Sequence, residues 1–399
     1  MESFDYIITG GGCAGLSLAY RLAKSPKLRH KRILLIERGP KSDNDRTWCF
    51  WEKSPGPFES IVCKKWQRLS VFQSRFKRHM DIRPYTYKMI LGSDFYEFTL
   101  AAVREAPNMQ ILYGGVEHIR NLEDKVEVRA GGKTYLADWC FNSIPFSPLP
   151  KEGTHHLDQH FRGWFIKTDD PVFDPGQATL MDFRIPQHGE TRFLYVLPAN
   201  DREALVELAI FSNRHLQNEE YDRIIGAYLK DHWPGIKGFS VDRKENGVIP
   251  MTDLRFPKTA GRIVQLGTVG GQTRASTGYT FWYIQQHSDR LLEALENNGI
   301  PSASESFARR RSRLYDRVLL QILKYNRLPG DELFARLWKK NQPAWLLKFL
   351  NAETNLPEEM KMMATTPVFH FLGALGREIF RKPGKYRIYP ESPDQHNVS

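Results

Sequence analysis

Six residues near the start of the chain, Gly10-Gly11-Gly12-Cys13-Ala14-Gly15, have the types and spacing to hold a phosphate. An apolar run, Asp5-Tyr6-Ile7-Ile8-Thr9, precedes them. Leu16, Ala19, Tyr20 and Ala23 follow at helical spacing, and a second apolar run, Arg32-Ile33-Leu34-Leu35-Ile36, ends on Glu37. Strand, glycine turn, helix, strand and acid make the pattern of a nucleotide-binding βαβ unit. In that pattern Gly10 permits the tight turn and Gly12 lets a pyrophosphate approach the backbone. Gly15 lets helix and strand pack closely. The helix N-terminus offers free N–H groups and a partial positive charge to the phosphates. Glu37 is placed to accept hydrogen bonds from an adenosine ribose.

Other residues have weaker chemical signals. Glu207 stands in an apolar strand, Ala204-Leu205-Val206-Glu207-Leu208-Ala209. On the core face it would be held protonated by burial and ready to donate. On the outer face it would be an ordinary surface glutamate. Asp182 and Arg184 are placed to orient an acid or a cofactor, or to form a strand-end ion pair. Arg46 to Trp51 is either a cavity wall or a hydrophobic plug. Trp48, Phe50, Trp51, Tyr195 and Tyr279 have rings that could face a cation, although core packing accounts for each one alone. His155, His156 and His160 crowd together without a supporting acid or cysteine pattern. They read as a surface loop, and no metal site is expected.

The elements that must position these residues fall into blocks. Strand-like runs alternate with helical ones up to Pro145, Pro148 and Pro150. From 151 to 246 strands dominate, with one helix over Asn218 to Trp233, as in an antiparallel substrate domain. The nucleotide-binding pattern then returns. Gly261-Arg262-Ile263-Val264-Gln265-Leu266-Gly267 reads as a buried strand, Thr268 to Thr277 as a small-residue loop, and Tyr279 to Glu296 as a helix. The expected organisation is a discontinuous nucleotide domain over 1–150 and 247–300, a β-rich domain over 151–246 and a helical region over 301–399.

The formal net charge of +11 favours anionic partners. These are nucleic acid or an anionic membrane surface; no nucleic-acid module accompanies the charge, and a soluble protein with a basic surface accounts for it equally. Four cysteines without a CxxC pair fit a reducing compartment. The first residues enter a core strand, so no signal peptide is expected, and no apolar run reaches the roughly 20 residues of a membrane span.

Together the motifs resemble the FAD-containing lycopene cyclases of carotenoid biosynthesis, over most of the chain. The landmarks are the opening glycine turn, Asp45-Arg46-Thr47-Trp48, Met181-Asp182-Phe183-Arg184, Phe193-Leu194-Tyr195-Val196-Leu197-Pro198, Leu205-Val206-Glu207, Gly247-Val248-Ile249-Pro250, and Gly267 through Ser276-Thr277-Gly278-Tyr279. Two departures matter. Thr268 stands where FAD hydroxylases usually carry an aspartate after the strand-ending glycine, and the cyclases share that lack. Leu208-Ala209 follows Glu207, where better-known cyclases have an acid and a threonine.

The resemblance implies an α/β fold: a Rossmann-like FAD-binding domain of the flavoprotein hydroxylase type, an antiparallel-sheet substrate domain and a helical C-terminal region. It implies protonation of linear lycopene, or a related carotene, by Glu207, with Asp182 as second candidate. Ring closure follows without net redox change. FAD acts in its reduced form, with NADPH as reductant. Gly10, Gly12, Cys13, Ala14, Gly15, Glu37, Arg46, Gly267, Gly270, Gly271, Thr277 and Gly278 would bind the cofactor. Trp48, Phe50, Trp51, Tyr195 and Tyr279 would line the substrate. The alternatives are another flavoenzyme of lipophilic substrates (hydroxylase, halogenase or prenyl reductase) and a non-catalytic flavin- and membrane-binding protein.

A cytoplasmic, peripherally membrane-attached protein is expected. Its attachment would use Arg309-Arg310-Arg311, Arg313, Lys339-Lys340, Arg377, Arg381 and Lys382. Among these lie Trp338, Trp345, Leu346, Leu347, Phe349, Phe369, Phe371 and Leu372.

Overall fold

The structure is a computed structural model that describes residues 2–302 and 305–386. Its first sheet is built around the opening strand, Glu2–Thr9. That strand runs parallel to Ile33–Glu37 on one side and to Lys133–Asn142 on the other. Met109–Tyr113 extends the first side, and the late strand Ile263–Gln265 extends the second, both in parallel. Parallel strands are covered on both faces, so their side chains form continuous apolar runs. Ile7, Ile8 and Ile33 to Ile36 are accordingly buried. Helices Cys13–Lys24, Gly92–Glu105 and Phe281–Asn298 cover one face. A hairpin strand, Val126–Ala130, turns back through Gly131 and Gly132, both at positive φ as the two-residue turn requires.

The second sheet has seven strands in the order Phe239–Thr252, His156–Thr168, Glu203–Ser212, Thr191–Pro198, Gln177–Asp182, Arg68–Gln73 and Phe76–Asp81. All pairings are antiparallel except that of Gln177–Asp182 with Arg68–Gln73. The last two strands come from inside the segment expected to serve the nucleotide domain, and Phe239–Thr252 runs past residue 246. A boundary at residue 150 therefore does not separate the two sheets. The physical reason is edge pairing. Gln177–Asp182 is buried and needs a partner on its free edge, and local periodicity does not say which strand supplies it.

Helix Asn218–His232 covers one face of this sheet around Trp164, Leu194, Val206 and Leu208. The opposite face meets helices Phe307–Lys324 and Gly330–Lys340, with Phe193, Phe211, Leu320, Phe334 and Trp338 in one core. Three further helices follow, Pro343–Leu350, Leu356–Ala364 and Val368–Ile379. Of the expected helical region 301–399, residues 303, 304 and 387–399 lie outside the described residues.

Part of the expected basic face is turned inward, while Arg310, Lys339, Lys340, Arg377 and Lys382 stay exposed. Arg309 is buried near Asp316, Arg311 pairs with Glu359 at 2.9 Å, and Arg313 pairs with Glu305 at 2.5 Å. Trp338, Leu346 and Leu347 belong to the core, not to a surface.

The three histidines are also buried, not in a surface loop. His156 and His160 lie on strand His156–Thr168. His155 Nε2 is 2.6 Å from Glu378 Oε1, and Asp253 completes a group whose ligand atoms fall within 4.8 Å of one another. Arg317 and Arg381 pair with both carboxylates. The group is thus a charge-balanced clamp that ties the last helix to strand Phe239–Thr252.

Candidate active site

A cavity of about 900 Å³ opens between the two sheets. Its nucleotide side is made by the opening turn. Gly10 has φ +93°, which a side chain rarely tolerates. At Gly15 a Cβ would lie 1.9 Å from the Gly10 carbonyl oxygen, so helix and strand touch there. Gly12 differs: a Cβ there would meet nothing within 4 Å, and Gly12, Cys13 and Ala14 all face the cavity. Helix Cys13–Lys24 has no acid in its first turn to neutralise its N-terminus. Burial pushes the Cys13 thiol up to about 12, so it is a neutral wall. Glu37 accepts a hydrogen bond from the Gly11 N–H and lies 3.7 Å from Lys41.

The late loop closes over this turn. Gly267, at φ +63°, would place a Cβ 3.0 Å from Ala14 Cβ. Gly267, Thr268, Thr277 and Gly278 line the cavity, as does Arg46 at its rim. Gly270 and Gly271 do not. A Cβ at Gly270 would strike the Gln265 carbonyl, and Gly271 packs on Phe256, so both shape the loop from behind. The buried Thr277 hydroxyl and Gln159 amide oxygen have no partner among the described residues, although both residues line the cavity. Open space at Gly12, an unneutralised helix end and orphaned polar atoms fit a dinucleotide such as FAD.

The other wall is the second sheet. Glu207 and Tyr195 are directly opposed across strands Glu203–Ser212 and Thr191–Pro198, so both project from one face. Glu207 opens onto the cavity yet lies deep beneath the protein surface. Burial pushes its carboxyl well above the ordinary range, and the neighbouring Glu245 adds to the rise. The Tyr195 and Tyr279 hydroxyls are hydrogen-bonded, and burial raises both, Tyr279 to about 12. Cys49, hydrogen-bonded to Tyr87, is raised by burial too. The neighbours of Glu207 on this side are therefore neutral.

Several expected residues lie elsewhere. Asp182 is fully buried but not in the cavity. It pairs with Leu194 in the ladder, which belongs to the face covered by helix Asn218–His232. There it receives hydrogen bonds from the Arg184 side chain at 2.9 and 2.6 Å, the Arg184 N–H at 3.1 Å and the Tyr228 hydroxyl at 2.7 Å. Of the five expected lining aromatics, Trp48, Tyr195 and Tyr279 face the cavity. Phe50 stacks on Phe281 with centroids 4.4 Å apart, and Trp51 Nε1 donates to the Leu347 carbonyl at 3.2 Å. Both are packing residues.

Glu245 was missed by sequence reasoning. It stands two residues before the quoted Gly247-Val248-Ile249-Pro250, in a run of charges that reads as a solvated edge. The signal that finds it is strand register, which is visible only once the sheet is assembled.

The sequence profile of a family described as "Lycopene cyclase protein" matches residues 5–375. No curated protein matches the chain. Among solved structures, a geranylgeranyl bacteriochlorophyll reductase-like protein from Thermoplasma acidophilum is similar at 15% identity and TM-score 0.66, covering 95% of this chain and 100% of that one. A p-nitrophenol 4-monooxygenase from Pseudomonas putida is similar at 14% identity and TM-score 0.59, over 94% and 98% of the two chains. A flavin-dependent brominase is similar at 12% identity and TM-score 0.64, over 95% and 100%. At these identities the likeness is one of fold: a parallel nucleotide-type sheet, a large antiparallel sheet and a helical C-terminal region.

Proposed function

The chain belongs to the lycopene cyclase family, and from that premise we propose that it closes the linear ends of lycopene, or of a related carotene, into β-ionone rings. The observation that carries this reading is Glu207. It is a carboxyl raised by burial, and it faces an aromatic-walled cavity that also reaches the N-terminus of helix Cys13–Lys24. The Glu207 O–H donates its proton to the terminal double bond. Trp48, Tyr195 and Tyr279 line the cavity, and their aromatic rings would favour the resulting cation. Burial of the site excludes water, which would otherwise trap the cation as an alcohol.

Gly12, Cys13 and Ala14 would hold the FAD pyrophosphate and Glu37 the ribose, while Arg46, Gly267, Thr277 and Gly278 face the rest of the group. The chemistry supplied there by reduced FAD is an electron-rich ring that favours nearby positive charge and is not consumed. NADPH is proposed as the reductant on the family resemblance.

Purified protein with reduced flavin, given lycopene without oxygen, should form a cyclic carotene of unchanged mass. A requirement for oxygen would move the protein to the hydroxylases or halogenases, and a saturated product to the prenyl reductases. Binding without turnover would leave a flavin-carrying binder.

The substrate dissolves in bilayers, yet no described helix is long and apolar enough to cross one. We propose that a cytoplasmic protein reaches the membrane through its last helix. Phe369, Leu372, Ile379 and Phe380 are all exposed, the two phenylalanines by 88% and 89%. Their spacing puts them on one stripe, with Arg377 and Lys382 beside it. This row replaces the paired arginines as the contact surface. Phe369→Ser with Phe380→Ser should weaken liposome binding severalfold; unchanged binding would remove the helix from that role.

A further inference from the structure

Glu245 takes no part in the reading above, yet it faces the same cavity. We propose that Glu207 and Glu245 act as one acid–base pair holding a single proton. Glu207 gives it to the terminal double bond, and Glu245 receives the proton that the ring cation later loses. This rests on the proposed cyclisation and names the base that such a reaction needs.

Two ladders bring the acids together. Strand His156–Thr168 lies between Glu203–Ser212 and Phe239–Thr252, and Gly163 is opposite Glu207 in one ladder and opposite Glu245 in the other. Three residues in a row across a sheet share a face. The outer two lie about 9–10 Å apart at the backbone, twice the strand spacing. The middle residue has no side chain, so the carboxyls lean in and hydrogen-bond over the gap. A Cβ at Gly163 would be 3.2 Å from Glu207 Oε2 and 3.3 Å from Glu245 Cγ. The same Cβ would meet Leu205 Cδ1 at 2.8 Å, so any side chain there would crowd both acids and Leu205.

The surroundings are asymmetric. Glu245 Oε2 accepts from Thr47 Oγ1 at 2.8 Å and lies 3.5 Å from Arg243 Nη1, and Arg46 adds positive charge from the rim. Around Glu207 stand the neutral Cys49, Tyr87, Tyr195 and Tyr279. Two carboxylates in one water-poor site do not readily both ionise, so one proton stays. Burial raises both groups, but Thr47 and Arg243 oppose the rise at Glu245. The proton therefore rests on Glu207, and Glu245 is the carboxylate.

The cycle balances. The Glu207 O–H bond breaks as a C–H bond forms at the inner carbon of the terminal double bond, which leaves the cation on the outer, dimethyl-bearing carbon. The internal double bond then attacks the cation and closes the ring. A C–H bond next to the new cation breaks, its electron pair becomes the ring double bond, and its proton goes to Glu245. Transfer across the shared hydrogen bond restores Glu207. No electron is exchanged, and no proton is consumed.

The experiment compares holoenzyme variants by kcat, KM, pH profile and the infrared carbonyl band of protonated Glu207, identified by its loss in Glu207→Gln. Glu245→Gln should lower kcat about 100-fold, a typical general-base contribution, with KM within twofold. Its acid limb should vanish, and the Glu207 band should titrate at lower pH because a neighbouring negative charge is gone. Glu245→Asp should keep both limbs. Wild-type kcat and pH profile in Glu245→Gln would overturn the pair, as would a band titrating at the wild-type pH. If Glu245→Gln does not fold, Gly163→Ala takes its place: its methyl enters the gap between the acids as the flexible Leu205 side chain gives way, and it should shift the band the same way; an unmoved band refutes coupling. An active Glu207→Gln would remove Glu207 from the acid role and the pair with it, whereas a wild-type holoenzyme that forms no cyclic carotene would refute the cyclisation reading itself. A dead Glu207→Gln beside a normal Glu245→Gln would refute only the pair.

Discussion

Two carboxylates on one sheet, Asp182 and Glu207, show how differently the two faces treat an acid. Asp182 points toward helix Asn218–His232 and is saturated by the Arg184 side chain, the Arg184 N–H and the Tyr228 hydroxyl. Glu207 points the other way, toward neutral aromatic hydroxyls and a second carboxyl. An acid whose oxygens are all engaged by protein donors, away from the cavity, has no open approach to a substrate. A buried acid without cationic partners holds its proton and can give it up only to something in the cavity. Burial alone did not separate the structural acid from the chemical one; the number and sign of partners did.

The largest test of this contrast is Glu207→Gln. It should reduce cyclisation about 10³-fold, within the range of general-acid losses, while the protein folds and retains flavin. Pigment analysis of lycopene-producing cells and flavin absorbance read both, and full activity would collapse the distinction.

Asp182→Asn should do the reverse. Breaking a buried, fully paired carboxylate costs about 3–5 kcal/mol, so its denaturant midpoint should fall well below wild type. The molecules that remain folded should turn over within severalfold of the parent. A stable but inactive Asp182→Asn protein would show that the two faces are not chemically separate.

The opening glycines repeat the contrast on a smaller scale. Gly12→Leu meets open space and should fold without retaining flavin. Gly15→Ala collides with the Gly10 carbonyl and should lower stability instead. Normal flavin content in folded Gly12→Leu would displace the pyrophosphate from this turn.

The smallest expected effect is in pH-dependent stability. Glu207 binds its proton more tightly folded than unfolded. From its ordinary value of 4.5 upward the unfolded chain releases this proton first, so stability declines with rising pH until the folded carboxyl ionises, and then levels off. Glu207→Gln should flatten that decline, and denaturant titrations at several pH values above 4.5 would detect it. An unchanged slope would mean that burial does not hold the proton.

What the sequence alone determined is what neighbouring residues decide. The glycine turn, its flanking strands, the first helix and the late return of the nucleotide pattern were legible because periodicity and glycine spacing are local. Glu207 was singled out by family resemblance, since an apolar strand does not announce which face its one acid takes. Assembly decided the rest. Strand register placed Asp182 on one face and Glu207 on the other, and aligned Gly163 with Glu207 and Glu245 across two ladders. It turned Phe50 and Trp51 into packing and paired Arg311 and Arg313 with Glu359 and Glu305. These outcomes depend on which distant strands and helices become neighbours. A side chain's partners are set by that choice, and residue spacing along the chain does not encode it in readable form.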